Sequence, residues 1–487
     1  MKIFKRIISI IIFISIFVLL LHGLSMAFIP NAEIASDVYN GFYELPKNSI
    51  DVEFIGDSSI YRGISPMEMY KQDGIAGYNL ALTGARIKSV YEFFSDSLKY
   101  QKPKLVVMNT EFLYITRPQN KNLDKVNMQY QNTFKGKLVN VLKNDNNKFK
   151  SFDEKMKYLF PIFEFHDRWN ETNIESLSKV MRKKRYVTRG FIPSNLVRPY
   201  KYDPETYNDD SISDKMPNNN FEYFLKILDL CKKNDIQVLF VTIPHPKIWN
   251  DARNKNMLSL AKTYNFKYLE LDIHKTNINF LTDTKDAGNH LNTNGAVKLS
   301  KYLSTYIKEN YNLPDRRKDK SYDFWNEDYK KYKKLKTADE IIKAELPKIE
   351  EEMKYIKQIL ETIEIITELN ELSEIEEELI SLGYVRKSKK NKQKLEKSKP
   401  YVFETDSGAL IYVGKNNLQN ENLTLKFANK NDIFFHAQDV PGSHVILRGS
   451  NLTEDDYKIA GFLAGYYSYF KNEGYANVDY TEKKHIR

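Results

Sequence analysis

Two side chains far apart in this chain are of the types that could do chemistry together. Ser58 follows the apolar run Val52 to Ile55 within Gly56-Asp57-Ser58-Ser59, and His290 lies 232 residues downstream within Asp286-Ala-Gly-Asn-His290-Leu-Asn-Thr-Asn-Gly295. A serine hydroxyl is a poor nucleophile until a base takes its proton, and an imidazole is suited to that work near neutral pH. Such a pair would perform acyl transfer through an acyl-serine, with water or a sugar hydroxyl as acceptor. Each motif alone also has a structural reading, the first as a tight turn whose Asp or Ser caps a helix, the second as a turn histidine. Their conjunction with the elements between them favours the chemical reading.

Those elements must bring the two together. Between Ile50 and about Asn312 short β-branched or aromatic runs alternate with helical stretches, the pattern of an α/β fold with a parallel sheet covered by helices. The strands expected are Val52 to Ile55, Leu105 to Met108, Gln237 to Val241 and Tyr268 to Leu271, with helices around Val90 to Leu98 and Phe221 to Cys231. Ligands in such folds bind at the carboxyl ends of strands, which puts Ser58 at the mouth of a site. From about Gln119 to Met216 the pattern loosens into an Asn- and Lys-rich insertion, read as a helical lid or lobe.

Over roughly Ile50 to Asn312 these blocks resemble the SGNH (GDSL-like) hydrolase superfamily. Gly56-Asp57-Ser58 is similar to its first block, and His290-Leu-Asn-Thr-Asn-Gly295-Ala296 to the last block of its membrane-anchored bacterial branch. The resemblance implies a flavodoxin-like sheet with helices on both faces, Ser58 as nucleophile and His290 as general base. It also implies an oxyanion hole built from the backbone N–H groups of Ser58 and Gly84 and the side chain of Asn109. Two departures stand out. The family's Gly-x-Asn-Asp is here Val107-Met108-Asn109-Thr110, and the acid three residues before the histidine is Ala287, with Asp286 four before it. A helical turn could bring Asp286 back to orient the imidazole; the alternative is a Ser-His dyad oriented by a backbone carbonyl. No cofactor or metal is implied.

Upstream, Ile7 to Phe28 is apolar apart from Ser9, Ser15, His22, Gly23 and Ser25, and follows Lys2, Lys5 and Arg6. As a helix this stretch just crosses a hydrocarbon core of about 30 Å. The basic flank would stay in the cytoplasm and send the rest of the chain outside. A cleaved signal peptide ending near Ser25-Met26-Ala27 is the alternative, with the same consequence of export. The 487 residues exceed one ordinary core, so several domains are expected. A net charge of +10 favours an acidic partner without choosing among envelope polymer, lipid headgroup and nucleic acid. One cysteine, Cys231, excludes an intrachain disulfide framework and a Cys-based zinc site, and its apolar helical setting makes it a buried thiol.

The α/β pattern stops in the dense charged and aromatic stretch Asp315 to Lys336, where a boundary is placed. Beyond Pro347, Ile349, Met353, Ile356, Leu360 and Ile363 recur at alternating intervals of four and three, giving one apolar seam on a coiled-coil arm. A second helix is expected over Leu372 to Leu379, ending near Gly383. The basic run Arg386 to Lys399 is either a solvated linker or a polyanion contact. From Tyr401 the sequence becomes strand-rich, with strands expected over Ala409 to Val413, Leu423 to Phe427 and His444 to Leu447, then a helix over Asp455 to Phe470.

This region resembles the NFACT RNA-binding domain (NFACT-R), a small α+β fold. The resemblance is carried by Tyr412-Val-Gly-Lys-Asn-Asn417, Leu423-Thr-Leu-Lys426, Lys430-Asn-Asp-Ile-Phe-Phe-His436, Asp439-Val-Pro-Gly-Ser-His444-Val-Ile-Leu-Arg448 and Val478-Asp-Tyr-Thr481. It extends upstream to about Asn326, over the second half of RqcH/FbpA-type ribosome quality-control factors. It implies contact with tRNA and the large ribosomal subunit. Lys415, Lys426, Lys430 and Arg448 would neutralise phosphates, while Asn416, Asn417, His436 and His444 would donate hydrogen bonds to backbone or 2′-hydroxyl. The alternative makes the histidines and the Asn-Asn pair turn and core residues of the fold.

The expected division is therefore 1–29 anchor, 45–312 SGNH-like domain, 326–383 coiled-coil arm, 384–400 basic linker and 401–487 an NFACT-R-like domain shorter than in its family. The main expectation is a membrane-anchored SGNH-type serine esterase or O-acyltransferase, extracellular and acting on cell-envelope polysaccharide or another acylated polymer. A membrane O-acyltransferase would be its partner, and the RNA module would be joined to it by an accidental fusion. The alternative is an RNA-binding protein of ribosome-associated quality control. The two conflict physically, because an anchor that exports Ser58 takes the RNA module away from ribosomes.

Overall fold

The computed structural model describes residues 2–30, 33–116, 120–131, 133–143, 149–172, 186–201, 214–246, 249–365, 369–386 and 398–486. It divides into two compact units, Met1–Lys336 and Thr337–Arg487. The first opens with the apolar helix α1 (Lys2–Ser25). Ile3–Phe28 is long and apolar enough to cross a membrane.

The first unit is built on a five-stranded sheet. Its strands are β1 (Val52–Gly56), β2 (Gly77–Ala81), β3 (Leu105–Asn109), β4 (Gln237–Thr242) and β5 (Lys267–Glu270). They lie parallel in the order β2-β1-β3-β4-β5, with Phe54 opposite Asn79 on one side and Val107 on the other. Strands covered on both faces read as continuous apolar runs, which is why β3 and β4 are visible in the sequence, and Val52, Phe54 and Ile55 still mark β1 despite the fully buried Glu53. β2 is not visible, because Gly77 and Asn79 interrupt it. Both have packing reasons: a Cβ on Gly77 would lie 2.7 Å from the Phe54 ring, and the buried Asn79 amide donates to the Ile64 carbonyl at 2.7 Å.

Helices cover both faces. Val90, Phe93 and Phe94 and then Phe224, Ile227 and Cys231 pack with Val106, Met108 and Phe240 on one side. On the other, Ile60, Leu299, Leu303 and Ile307 pack with Phe54, Val107 and Leu239. The helices concerned are α2 (Ser58–Gly63), α3 (Ile87–Ser97), α4 (Asn218–Lys233) and α5 (Thr293–Asn310). Burial pushes the Cys231 thiol up to about 12, so it is an inert packing group. The described parts of the insertion include short helices, Lys121–Tyr130, Phe134–Lys143 and Phe152–Leu159.

The charged and aromatic stretch after Asp315 docks on this unit. Trp325 is fully buried against Tyr70, ring centroids 5.2 Å apart, in a cluster with Met67, Val187, Tyr322 and Tyr332. Arg316 makes paired bonds to Asp51 at 2.7 and 2.8 Å, Arg189 meets Asp328 at 2.7 Å, and Tyr332 and Lys336 both donate to the buried Glu68. Helix α6 (Asp323–Ile365) begins within this stretch and continues through Pro347.

In the second unit α6 is followed by α7 (Leu369–Ser381) and a five-stranded antiparallel sheet. Its strands are β6 (Tyr401–Glu404), β7 (Leu410–Val413), β8 (Ile433–Ala437), β9 (Val445–Arg448) and β10 (Val478–Glu482), in the order β10-β8-β9-β7-β6. Between β7 and β8 lies α8 (Asn417–Asn422), and α9 (Glu454–Tyr466) follows β9. Ala460, Leu463 and Ala464 of α9 pack on Ile411, Val413, Phe435, Val445 and Leu447. The strand expected over Leu423 to Phe427 is instead one wide helical turn, with Ala428 N bonded to the Leu423 carbonyl at 2.8 Å. Its apolar alternation does not report a half-buried strand: Leu423 and Thr424 are buried side by side, and Leu425 to Phe427 face solvent. Most of the basic run, 387–397, lies outside the described residues.

Candidate functional site

The chain reverses its direction across the sheet between β1 and β3, and the crevice outside that point is where α/β sheets hold ligands. β1 ends there. Asp57 caps α2 by accepting from Ser59 N at 2.9 Å, which leaves Ser58 as the first residue of that helix. His290 reaches it from just before α5, with Nε2 2.8 Å from Ser58 Oγ.

The carboxylate that orients the ring is Asp286. Its Oδ2 lies 2.6 Å from His290 Nδ1 and its Oδ1 accepts from His290 N at 2.7 Å. The turn between them explains the extra residue in the spacing. Ala287 and Gly288 both take left-handed backbone conformations, φ 53° and 88°, and fold the carboxylate back onto its own histidine. Gly288 is required there, since a Cβ would meet Pro246 at 2.7 Å. With Nδ1–H donated to Asp286, Nε2 is left to accept the Ser58 proton. His290 and Asp286 keep side-chain exposures of 26% and 28%, so the array is open to a ligand.

Gly84 follows β2 with φ 61°, a conformation that favours glycine. Asn109 departs from the role expected of it. Its amide is fully buried, and its Nδ2 donates to Asp57 Oδ1 at 3.0 Å and Glu111 Oε2 at 2.8 Å. Both amide protons are committed, so Asn109 ties the base of the site together and has none left to donate to an oxyanion. Glu111, which the sequence reading passed over, also accepts from Ile243 N at 2.8 Å. Burial, with the charge of Asp57 added, pushes its carboxyl up to about 8. A lone Glu just past a strand end carries no signal of such a role.

In the second unit the residues expected to meet RNA divide into two groups. Lys415 is paired with Glu371 of α7 at 2.5 Å, with its ammonium 4.1 Å from the centre of the Tyr401 ring. Arg448 donates to Asp432 through Nε and Nη2 at 2.9 and 2.6 Å and lies over Phe427. Asn416 caps α8 and donates to Glu374 at 2.6 Å, and Asn417 accepts from Gln358 at 3.1 Å. His444 Nδ1 sits 2.7 Å from Thr424 Oγ1, and His436 stands edge-on to His444, 5.4 Å between centroids. Burial lowers both imidazoles, His444 to about 4, where the neighbouring His436 adds to the effect. Neither ring carries charge at neutral pH. Lys426 and Lys430 stand apart from these, exposed beside the half-exposed Phe427.

The matching family models fall on the last third of the chain. Residues 326–398 match the family described as NFACT N-terminal and middle domains, and residues 399–487 match the NFACT protein RNA binding domain. The Rqc2 homolog RqcH of Bacillus subtilis is 35% identical over 164 residues, 33% of this chain and 28% of that protein. The Rqc2 homolog RqcH of Streptococcus suis is 41% identical over 112 residues, 23% of this chain and 20% of that protein. The chain thus spans less than a third of the length of these relatives. Among solved structures, the C-terminal part of the fibronectin/fibrinogen-binding protein from Streptococcus suis is 34% identical and covers 33% of this chain and 65% of that one, with a TM-score of 0.29. A GDSL-like lipase from Bacteroides thetaiotaomicron is 11% identical and covers 57% and 100%, with a TM-score of 0.27. Superpositions at these scores establish no kinship.

The main functional expectation is corrected by these findings. Two adjoining family matches and relatives at 35% and 41% identity favour the RNA-binding, quality-control alternative over a membrane-anchored SGNH-type esterase or O-acyltransferase. The envelope polymer, the membrane O-acyltransferase and the extracellular placement belonged to that expectation, and the matches lend them no support.

Proposed function

We propose that residues 326–487 bind RNA, with tRNA and the large ribosomal subunit as partners, in ribosome-associated quality control. The observation that carries this reading is the match of residues 399–487 to the NFACT protein RNA binding domain, continuous with the arm match before it. The surface around the turn after α8 supports it. Lys426 and Lys430 are exposed, and Phe427, between them in the sequence, is 42% exposed with its ring backed by the Arg448 guanidinium at 4.4 Å. Cations beside an aromatic face suit a phosphate backbone with an unstacked base next to it. Lys415 and Arg448 serve this surface indirectly, by fixing the elements that present it. The test is retention of labelled tRNA by the full chain across a salt series, with binding that weakens steeply as salt rises.

The hydrogen-bonded array in the first unit supports a separate assignment of residues. Ser58 is the nucleophile, His290 its base and Asp286 the group that orients and stabilises the imidazolium, with the backbone N–H groups of Ser58 and Gly84 facing the developing oxyanion. The 2.8 and 2.6 Å contacts on the two sides of the His290 ring are what favour it. Covalent capture of Ser58 by a fluorophosphonate probe tests it.

A further inference from the structure

One face of α6 carries an unbroken apolar stripe. Ile342, Leu346, Ile349, Met353, Ile356, Leu360 and Ile363 succeed one another at intervals of four and three, and each is between 37% and 60% exposed. A helix in contact with water ordinarily turns charge outward along such a face. The neighbouring side of the same helix is already in use, with Ile359 only 4% exposed and Tyr355 donating to Glu378 of α7 at 2.7 Å. The stripe is therefore a coiled-coil seam to which no second strand is supplied among the described residues.

We propose that its occupant is a second copy of this chain, paired antiparallel about a centre between Met353 and Ile356. In that register Met353 meets Ile356 of the second copy, Ile349 meets Leu360 and Leu346 meets Ile363, so every layer is apolar. The flanking charges choose the direction. Glu350 and Lys357, both exposed, occupy the positions beside the seam that face each other across an antiparallel pair, and each meets its opposite. A parallel pair would instead set Glu345 against Glu350 as well as Glu352 against Lys357, so that repulsion cancels attraction. Pro347 lies off the stripe, and any bend there leaves Ile349 to Leu360 on one straight segment. From Leu346 to Ile363 the seam is about 26 Å long, which makes a weak, concentration-dependent dimer. This inference stands on α6 alone and is independent of RNA binding.

The experiment is sedimentation of the full chain in a mild non-ionic detergent over a wide range of concentration, joined to cysteine cross-linking. The chain should pass from monomer to dimer. Lys357→Glu should weaken the dimer about tenfold by turning two attractions into repulsions, and adding Glu350→Lys should restore it. Under oxidation, a mixture of Ile349→Cys and Leu360→Cys chains should cross-link to each other, while each variant alone stays uncross-linked; the buried Cys231 serves as the silent control. A chain that is monomeric throughout, a dimer indifferent to Lys357→Glu, or self-cross-linking of Ile349→Cys would each overturn the proposal.

Discussion

Lys415 and Glu371 form an ion pair at 2.5 Å with side-chain exposures of 10% and 4%, tying the loop after β7 to α7. The pair is sealed from water on one side by Tyr401, over whose ring the ammonium sits. A charge that looks available to phosphate in the sequence is thus spent on holding the arm helix to the strand-rich fold. Removing one partner of a buried pair strands the other, at a cost of about 3 kcal/mol. Lys415→Met should therefore lower the unfolding midpoint of the second unit markedly, and Lys415→Met with Glu371→Leu should recover most of the loss. Denaturant titration followed by tyrosine fluorescence would show it. A Lys415→Met chain as stable as the parent would contradict the structural role.

A second prediction concerns acid. The His444 imidazole is lowered to about 4 from an ordinary 6.5, chiefly by burial and then by His436. Its folded pKa is below its unfolded one, so the unfolded chain binds the proton more readily. The stability due to neutral His444 is complete above about 6.5 and is lost as pH falls toward 4. His444→Gln should flatten the pH dependence of unfolding across that window. Curves for the two chains that run parallel there would refute the assignment.

The array at Ser58 gives a third. A fluorophosphonate probe should label the folded chain, and Ser58→Ala should abolish labelling. Asp286→Ala should slow it by about 10²-fold or more, because the imidazole loses the partner that fixes its tautomer. Unchanged labelling of Asp286→Ala would favour orientation by a backbone carbonyl. Equal labelling of the Ser58→Ala chain would remove Ser58 from the chemistry.

The same contacts show what a sequence can and cannot reveal here. β3 and β4 were legible because burial on both faces leaves an apolar run, β1 because Val52, Phe54 and Ile55 outweigh the buried Glu53, and β5 lies within a residue of its expected span. β2 was hidden by Gly77 and Asn79, whose reasons lie in Phe54 on the neighbouring strand and in the Ile64 carbonyl at the end of α2. Ser58 and His290 were legible as a pair because histidine is scarce and both settings are specific. Asp286 was less so, since only the left-handed turn at Ala287 and Gly288 makes its spacing work. The commitments of Asn109, Lys415 and Arg448 were invisible, because Glu111 and Glu371 carry no motif and nothing in the block around Asp432 marks it as the partner of Arg448. A pattern of residue types marks who could meet a ligand, whereas packing decides who has already been taken.

The central claim is that the second unit binds RNA through exposed cations, and its most direct measurement is the salt slope of tRNA binding by the full chain. Log affinity should fall linearly with log salt concentration, and Lys426→Ala and Lys430→Ala should each reduce the slope by about 1 while leaving the fold intact. Binding that is absent at low salt, or whose slope is untouched in the double variant, would contradict the account.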